Sequence, residues 1–170
     1  MLPTPAPATP LAPLADPAAL AAFRGGPFEA KNVEAAGGSV RAECGWHIAP
    51  SIEQTIALRT GGADEVLLPS LYVTEVSAVT DRAGNTLGGW EAWSNGILSR
   101  PGGFPDTVQV TFQHGYEKCP AELLPIIAER AAGQASGRIK SEALAGRSVQ
   151  LEGGYAPEAQ SSIAAYRIGA

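Results

Sequence analysis

Histidine and cysteine are the residue types in this chain best suited to acid–base or metal chemistry, and each occurs twice. The two histidines are His47 and His114, and the two cysteines are Cys44 and Cys119. A catalytic or metal site would need carboxylates or thiols converging on the imidazoles, and no motif brings such groups beside either histidine. We therefore predict that both histidines have structural roles.

The cysteine pattern does not favour metal binding either. Cys44 and Cys119 form no C-x-x-C pair, which disfavours a zinc site, and a disulfide would require an oxidising compartment. We expect two free, buried thiols. The sequence also contains no G-x-S-x-G, H-E-x-x-H or Walker-type motif, and its glycine pairs do not open helices as a phosphate-binding loop does. These patterns predict a protein that is not an enzyme and carries no metal or cofactor.

Charge and hydropathy limit the choice of partners. The chain of 170 residues has a formal net charge of -5 and no cluster of lysine and arginine, whereas tight, sequence-independent DNA binding requires a basic face. No apolar run approaches the roughly 20 residues that a membrane-spanning helix needs, and no signal peptide is visible. We expect a chain made in the cytoplasm that forms one domain of ordinary size plus tails.

Four short helices are predicted from apolar spacing and cap residues, over residues 17–23, 28–44, 120–134 and 157–166. Asp16 and Pro17 have the N-cap and N1 chemistry that begins a helix. Gly37 and Gly38 fall inside the second helix, so either that helix is interrupted or a neighbour packs against the bare backbone. Pro125 predicts a kink or a separate first turn in the third helix, because proline removes a helical hydrogen bond.

Residues 54–116 are predicted to form an antiparallel β-rich insertion, which makes the fold class α+β. Turn residues such as those at 81–85 separate its short apolar runs. The clearest strand is Thr107–Gln113, where apolar and polar residues alternate, so one face should be buried and the other solvated. The other predicted strands are Thr55–Arg59, Glu65–Leu68, Tyr72–Thr80 and, near the C-terminus, Ser148–Glu152.

The chain divides into three stretches by composition. Residues 1–17 are rich in proline, which fixes φ and removes donors, so they are predicted to be an extended arm. This arm is either a disordered leader or a segment that lies on a neighbouring subunit. Residues 18–136 contain the predicted body. Residues 137–170 have too few apolar side chains for a core of their own, so they should dock on the body or on a partner.

Large apolar side chains outside the predicted core are the candidates for contacts with partners. Trp90 and Trp93 lie on or beside a loop, where they either cap the β-layer or form a contact patch, since tryptophan is enriched at interface hot spots. A partner contact is also favoured for the apolar side chains of the C-terminal stretch. Those side chains are Tyr155, Ile163, Tyr166 and Ile168.

Five segments of the chain, taken together and in order, resemble the head-to-tail adaptor (connector) proteins of long-tailed bacteriophages, especially those of actinobacterial hosts. The segments are AECGWHIAPSIEQTIAL, VLLPSLYVTEVSAVTD, DTVQVTFQHGYEKCPAELLPIIAERA, IKSEALAGRSVQLEGG and the terminal AAYRI. None of them is a catalytic motif, and the specificity lies in their combination. The proline-rich residues 1–17 are not part of the family pattern.

The resemblance implies a structural virion protein that forms a twelve-membered ring beneath the portal, extends the DNA channel and joins capsid to tail. The implied partners are other copies of the chain, the portal protein, a stopper or tail-side neck protein, and genomic DNA that passes without sequence-specific binding. The residues assigned to the portal contact are Tyr155, Ile163, Tyr166, Arg167 and Ile168. Those assigned to a neighbouring subunit or the tail side are Arg82, Asn85, Trp90 and Trp93.

Three other functions remain as alternatives at this point. A stopper or tail terminator would share the ring symmetry, although such proteins are mainly β and lack a long helix after the best strand. A small α+β enzyme would need His47 or His114 to be catalytic. A carbohydrate-binding module would depend on Trp90 and Trp93 alone.

Overall fold

The computed structural model describes residues 11–135, 141–144, 147–150 and 157–169. Within them the fold is α+β, as predicted, with helices before and after an antiparallel β-region. In chain order the elements are α1 (Pro17–Leu20), α2 (Ala30–Cys44), β1 (Ile52–Arg59), β2 (Glu65–Leu67), β3 (Val73–Asp81), β4 (Glu91–Ala92), β5 (Ile97–Ser99), β6 (Thr107–His114), a 3-10 turn (Ala121–Leu123), α3 (Leu124–Ala135), β7 (Ser141–Leu144), β8 (Arg147–Gln150) and α4 (Pro157–Ala165).

Helix α1 begins as the sequence predicts but is shorter. The Asp16 carboxylate accepts a hydrogen bond from the amide of Ala18 at 2.8 Å, with Pro17 in the first turn, which satisfies an otherwise unpaired N–H group. The helix ends at Leu20, so the predicted range of 17–23 is too long. The chain turns instead, with the Phe23 amide donating to the Leu20 carbonyl.

Helix α2 passes through both of its central glycines without interruption. A Cβ atom at Gly37 would lie 3.0 Å from Cβ of Leu14, whereas a Cβ atom at Gly38 would have nothing within 4 Å. Of the two predicted alternatives, close packing against bare backbone is therefore correct, and it applies to Gly37. Gly45 ends the helix in the left-handed conformation at φ 82°, the C-terminal role predicted for it.

Pro125 is accommodated by a separate first turn, which is one of the two predicted outcomes. Residues 121–123 form the 3-10 turn, and α3 begins at Leu124. Pro125 thus occupies the first turn of α3, where a missing N–H group breaks no helical hydrogen bond. Helix α3 then packs against α2.

Strand β6 is the centre of the larger sheet, which has the order β1-β6-β3 with antiparallel neighbours. Its side chains alternate as predicted, with Val108, Val110 and Phe112 fully buried and Gln109 and Gln113 exposed. The register of β3 against β6 shifts at two places. Bulges of this kind bend a strand and increase its twist.

A smaller sheet has the order β2-β5-β4 and is also antiparallel. Two-residue strand β4 lies between the two tryptophans, in a stretch for which the sequence predicts no regular strand. Gly96 precedes β5 at φ 86°, and a Cβ atom there would lie 2.3 Å from the Ser70 carbonyl oxygen. Only glycine fits this position, because both the positive φ and the close backbone exclude a side chain.

The buried side chains form two clusters. The helical cluster combines α1, α2, α3 and α4 and includes Val40, Leu123, Ile127 and Ile163. The sheet cluster combines side chains of both sheets, such as Leu98 and Phe112.

The C-terminal stretch contains more regular structure than the sequence predicts. Strands β7 and β8 form an antiparallel hairpin, of which the sequence predicts only the second strand. Helix α4 packs against α2 and against the 3-10 turn.

Candidate interaction surfaces

The two histidines, far apart in sequence, meet where the helical cluster and the sheet cluster join. Their ring centroids are 4.3 Å apart in an edge-on arrangement. His47 Nε2 lies 2.9 Å from the Pro50 carbonyl oxygen, and His114 Nε2 lies 3.1 Å from Gln54 Oε1. Gly115 makes room for this contact, since a Cβ atom there would lie 2.3 Å from His47 Nε2.

Burial keeps this pair neutral near pH 7. Burial lowers the pKa of His114 to about 4, with a further contribution from His47, and burial also lowers the pKa of His47. His114 Nδ1 is buried and has no hydrogen-bond partner among the described residues. The histidines therefore pack like aromatic side chains between the two clusters.

The cysteines are free, as predicted. Cys44 is fully buried in the helical cluster, as predicted, whereas Cys119 is only half-buried, so the prediction of two buried thiols is wrong for Cys119. Burial raises the pKa of the Cys119 thiol to about 12, so this group is a poor nucleophile at neutral pH.

Among the described residues no group of three or more histidine, cysteine or acidic side chains could hold a metal ion. No helix within those ranges is long and apolar enough to cross a membrane.

Part of the predicted portal contact packs on the chain's own body. Ile163 of α4 is 3% exposed and belongs to the helical cluster. The indole of Trp46 donates a hydrogen bond of 2.7 Å to the Tyr166 carbonyl, and the Tyr166 hydroxyl donates to Glu122 at 3.2 Å. The segment thus docks through Ile163 and Tyr166, which removes much of their surface from any partner.

The last residues of the same segment remain accessible. Arg167 is exposed, and Ile168 is 36% exposed although its amide donates to the Cys44 carbonyl at 3.0 Å. Tyr155, also assigned to the portal contact, lies outside the described residues. The structure therefore leaves Arg167 and Ile168 as the surface part of this predicted contact.

The four residues assigned to a neighbour or tail-side contact differ in their surroundings. Arg82 and Asn85 lie on the exposed turn after β3, where the Asn85 amide group donates to the Asp81 carboxylate at 2.8 Å. Trp90 is half-buried against the sheet cluster, and its indole donates to the Leu87 carbonyl at 2.8 Å. Trp93 is 45% exposed. Trp90 thus caps the β-layer, whereas Trp93 is available for contact.

A partly exposed apolar row on the smaller sheet was not predicted from the sequence. Leu67 pairs with Ile97 across β2 and β5, and the Trp93 amide donates to the Ile97 carbonyl at 2.8 Å. Cross-strand partners point to the same face of a sheet, so Leu67, Ile97 and Trp93 form one row. Leu67 is 72% exposed. Fully buried Leu98 lies next to Ile97 in β5 and points to the opposite face. The alternation of β5 could have indicated this row, but its pairing with Leu67 and Trp93 could not be read from the sequence.

Comparison with known proteins relates this fold to the necks of phage-like particles. No family model and no curated protein matches the chain. A chain from the neck of an empty GTA (gene transfer agent) particle, computed with C6 symmetry, matches with a TM-score of 0.56 and 16% identity. The match covers 81% of this chain and 75% of that one. A chain from the neck of a native GTA particle, computed with C12 symmetry, matches with a TM-score of 0.55 and 18% identity, covering 81% and 80%.

This chain has the fold of those neck chains. The structural similarity covers most of this chain and most of each neck chain. The whole body is therefore similar, and not one supersecondary motif alone. At 16% and 18% identity it concerns the fold and does not distinguish one kind of phage-like particle from another.

Proposed function

We propose that this chain is a structural subunit of the neck that joins the head of a phage-like particle to its tail. The observation that carries the proposal is the fold shared with neck chains of GTA particles over 81% of the chain. Within the neck, the motif resemblance favours the adaptor ring beneath the portal, of the kind found in long-tailed phages of actinobacterial hosts. Twelve copies would match the C12 symmetry of one of those necks, and the C6 symmetry of the other is compatible with the same number.

Charge supports the same role. An adaptor ring surrounds a channel through which DNA must slide, and a basic lumen would hold the phosphates. A chain with a formal net charge of -5 suits such a channel. A ring also engages its partner through many equivalent contacts, so a small contact surface on each subunit gives firm attachment.

The portal contact is proposed for the accessible end of the C-terminal segment, Arg167 and Ile168, together with Tyr155. Ile163 and Tyr166 then act indirectly, because they hold α4 on the helical cluster. The neighbour or tail-side contact is proposed for Arg82, Asn85 and Trp93, with Trp90 supporting Trp93 from the sheet cluster.

The proposal is tested by mixing the purified chain with the portal protein encoded in the same genome. Native mass spectrometry and electron microscopy should show the portal carrying one added ring, with the copy number read from the mass. A stopper or tail terminator would instead bind the tail-side neck protein and leave the portal alone. A chain that stays monomeric with both partners would overturn the neck assignment.

A matched pair of variants tests the portal contact. Ile168→Ala should leave the melting temperature nearly unchanged and reduce portal binding, because this side chain is partly exposed. Ile163→Ala should lower stability by about 2–5 kcal/mol, since it removes a side chain buried in the helical cluster. Normal portal binding by both Ile168→Ala and Arg167→Glu would place the contact elsewhere.

A further inference from the structure

The row formed by exposed Leu67 and Trp93 and half-buried Ile97 has the chemistry of a surface for a proline-rich segment. It combines two aliphatic side chains with an indole, and aromatic-lined apolar surfaces bind polyproline II segments through ring stacking. The Trp93 indole N–H donates to no group among the described residues. A proline-rich segment supplies acceptors for this N–H group, because its carbonyl oxygens accept hydrogen bonds. Its prolines have no N–H groups that would compete for them.

Such a segment precedes the body of this same chain. Residues 1–10, the first part of the predicted arm, read MLPTPAPATP and carry no charged side chain, and their composition predicts an extended polyproline II conformation. The acidic side chains of Glu65 and Glu91 lie on the same face as the row, by the register of β2 and β4 with β5. An uncharged arm meets no repulsion there, whereas an acidic segment would.

The residues that follow this segment pack on a different part of the body from the row. The Ala12 carbonyl accepts a hydrogen bond of 2.8 Å from Arg41, and Leu14 is buried against Gly37 of α2. Leu14 thus belongs to the helical cluster, while the row belongs to the smaller sheet. A ring needs a heterologous interface, in which one surface of a subunit meets a different surface of the next. Ten residues of polyproline II would span about 30 Å, enough to cross onto a neighbouring copy.

We propose that residues 1–10 of one copy dock on the Leu67, Ile97 and Trp93 row of the next copy in the ring. This inference rests on the proposed function for the ring arrangement, but the docking itself is a property of two copies of the chain. The contact is small, so it contributes through repetition around the ring more than through the affinity of a single arm.

Disulfide trapping between two differently tagged copies tests the docking without the portal. One copy carries Pro5→Cys and the other carries Ser94→Cys beside Trp93, both in a Cys119→Ser background. Mixed and mildly oxidised at high concentration, they should yield a linked heterodimer. The matched control is Glu53→Cys, which is also exposed but lies on the larger sheet, and it should give only the random background.

Adding Trp93→Ala to the copy with Ser94→Cys should reduce the trapped yield by roughly tenfold, the loss expected for a tryptophan anchor. Equal yields at positions 94 and 53 would overturn the proposal. Intramolecular linkage in a Pro5→Cys/Ser94→Cys double variant, without linkage between mixed single variants, would show that the chain's own arm covers the row. If the arm is trapped on another copy but the chain forms no ring on the portal, this inference stands and the adaptor role is rejected.

Discussion

At the scale of a single residue, burial accounts for the low pKa of His114. It is 2% exposed, lies against the rings of His47 and Phe112, and leaves Nδ1 without a partner among the described residues. A charge on this imidazole would be poorly solvated there. Arg41, which hydrogen-bonds the His47 carbonyl oxygen, adds positive charge nearby and disfavours a proton on His47.

The stability of the fold should therefore fall as the pH falls below the ordinary histidine pKa. In the unfolded chain His114 takes up a proton near pH 6.5, whereas in the fold its pKa is about 4. Between these values the unfolded state binds more protons, so acid favours unfolding by up to about 3 kcal/mol for this residue. Urea unfolding measured from pH 7 to pH 4 checks the expected loss.

His114→Gln supplies the control for that titration, because it removes the ionisable group from the same site. The variant should have a flatter dependence of unfolding free energy on pH over this range, whatever its absolute stability. An identical slope in the two proteins would mean that other groups, and not His114, account for the acid sensitivity.

At the scale of an element, α2 packs closely against residues 11–16 because Gly37 has no side chain. Gly37 and Gly38 are adjacent in the helix, and each lowers helix propensity. Only Gly37 faces Leu14 at close distance. Gly37 lowers the helix propensity of α2 but lets residues 11–16 pack against its backbone. Gly38 lowers the propensity without making such a contact.

Substitution by alanine should change the stability of the fold differently at Gly37 and at Gly38. Gly38→Ala should stabilise the fold by about 0.5–1 kcal/mol, because the new methyl group enters open space and improves helix propensity. Gly37→Ala has the same gain in propensity but must displace Leu14, and overpacking costs about 1–3 kcal/mol. Thermal unfolding of both variants checks this order, and equal gains would contradict the close approach.

At the scale of the whole molecule, the helical and sheet clusters meet through a short connection. Residues 46–50 follow α2, and the Ile48 carbonyl accepts a hydrogen bond of 2.8 Å from the Tyr116 amide just beyond β6. The stacked rings of Tyr72 and Tyr116, 4.4 Å apart, link the same regions. These contacts predict that the body unfolds as a single cooperative unit and not as two independent layers.

Ile127→Ala tests this cooperativity. Loss of this fully buried side chain should cost at least about 2 kcal/mol. Hydrogen exchange of the slowest amides should accelerate by roughly thirtyfold or more in both α3 and β6. Trp93→Ala, a change at the surface, should leave both rates unchanged. Acceleration in α3 alone would mean that the sheet region opens independently.

The sequence by itself determined the features that depend on neighbouring residues. Alternation predicts β6 and its buried face, Asp16 and Pro17 predict the start of α1, and Pro125 predicts the separate turn before α3. These signals are local, because caps, proline and side-chain periodicity act within a few residues. The resemblance that carried the functional expectation was likewise a matter of ordered local segments.

Only the tertiary structure decided the features that depend on pairing between distant segments. It placed His47 against His114, assigned Gly37 and not Gly38 to the approach of Leu14, and buried Ile163 in the body. It also separated Trp93, which is exposed, from Trp90, which caps the sheet. The physical reason is that burial depends on which surfaces meet, and strand register and helix packing bring together residues whose contact no local pattern encodes.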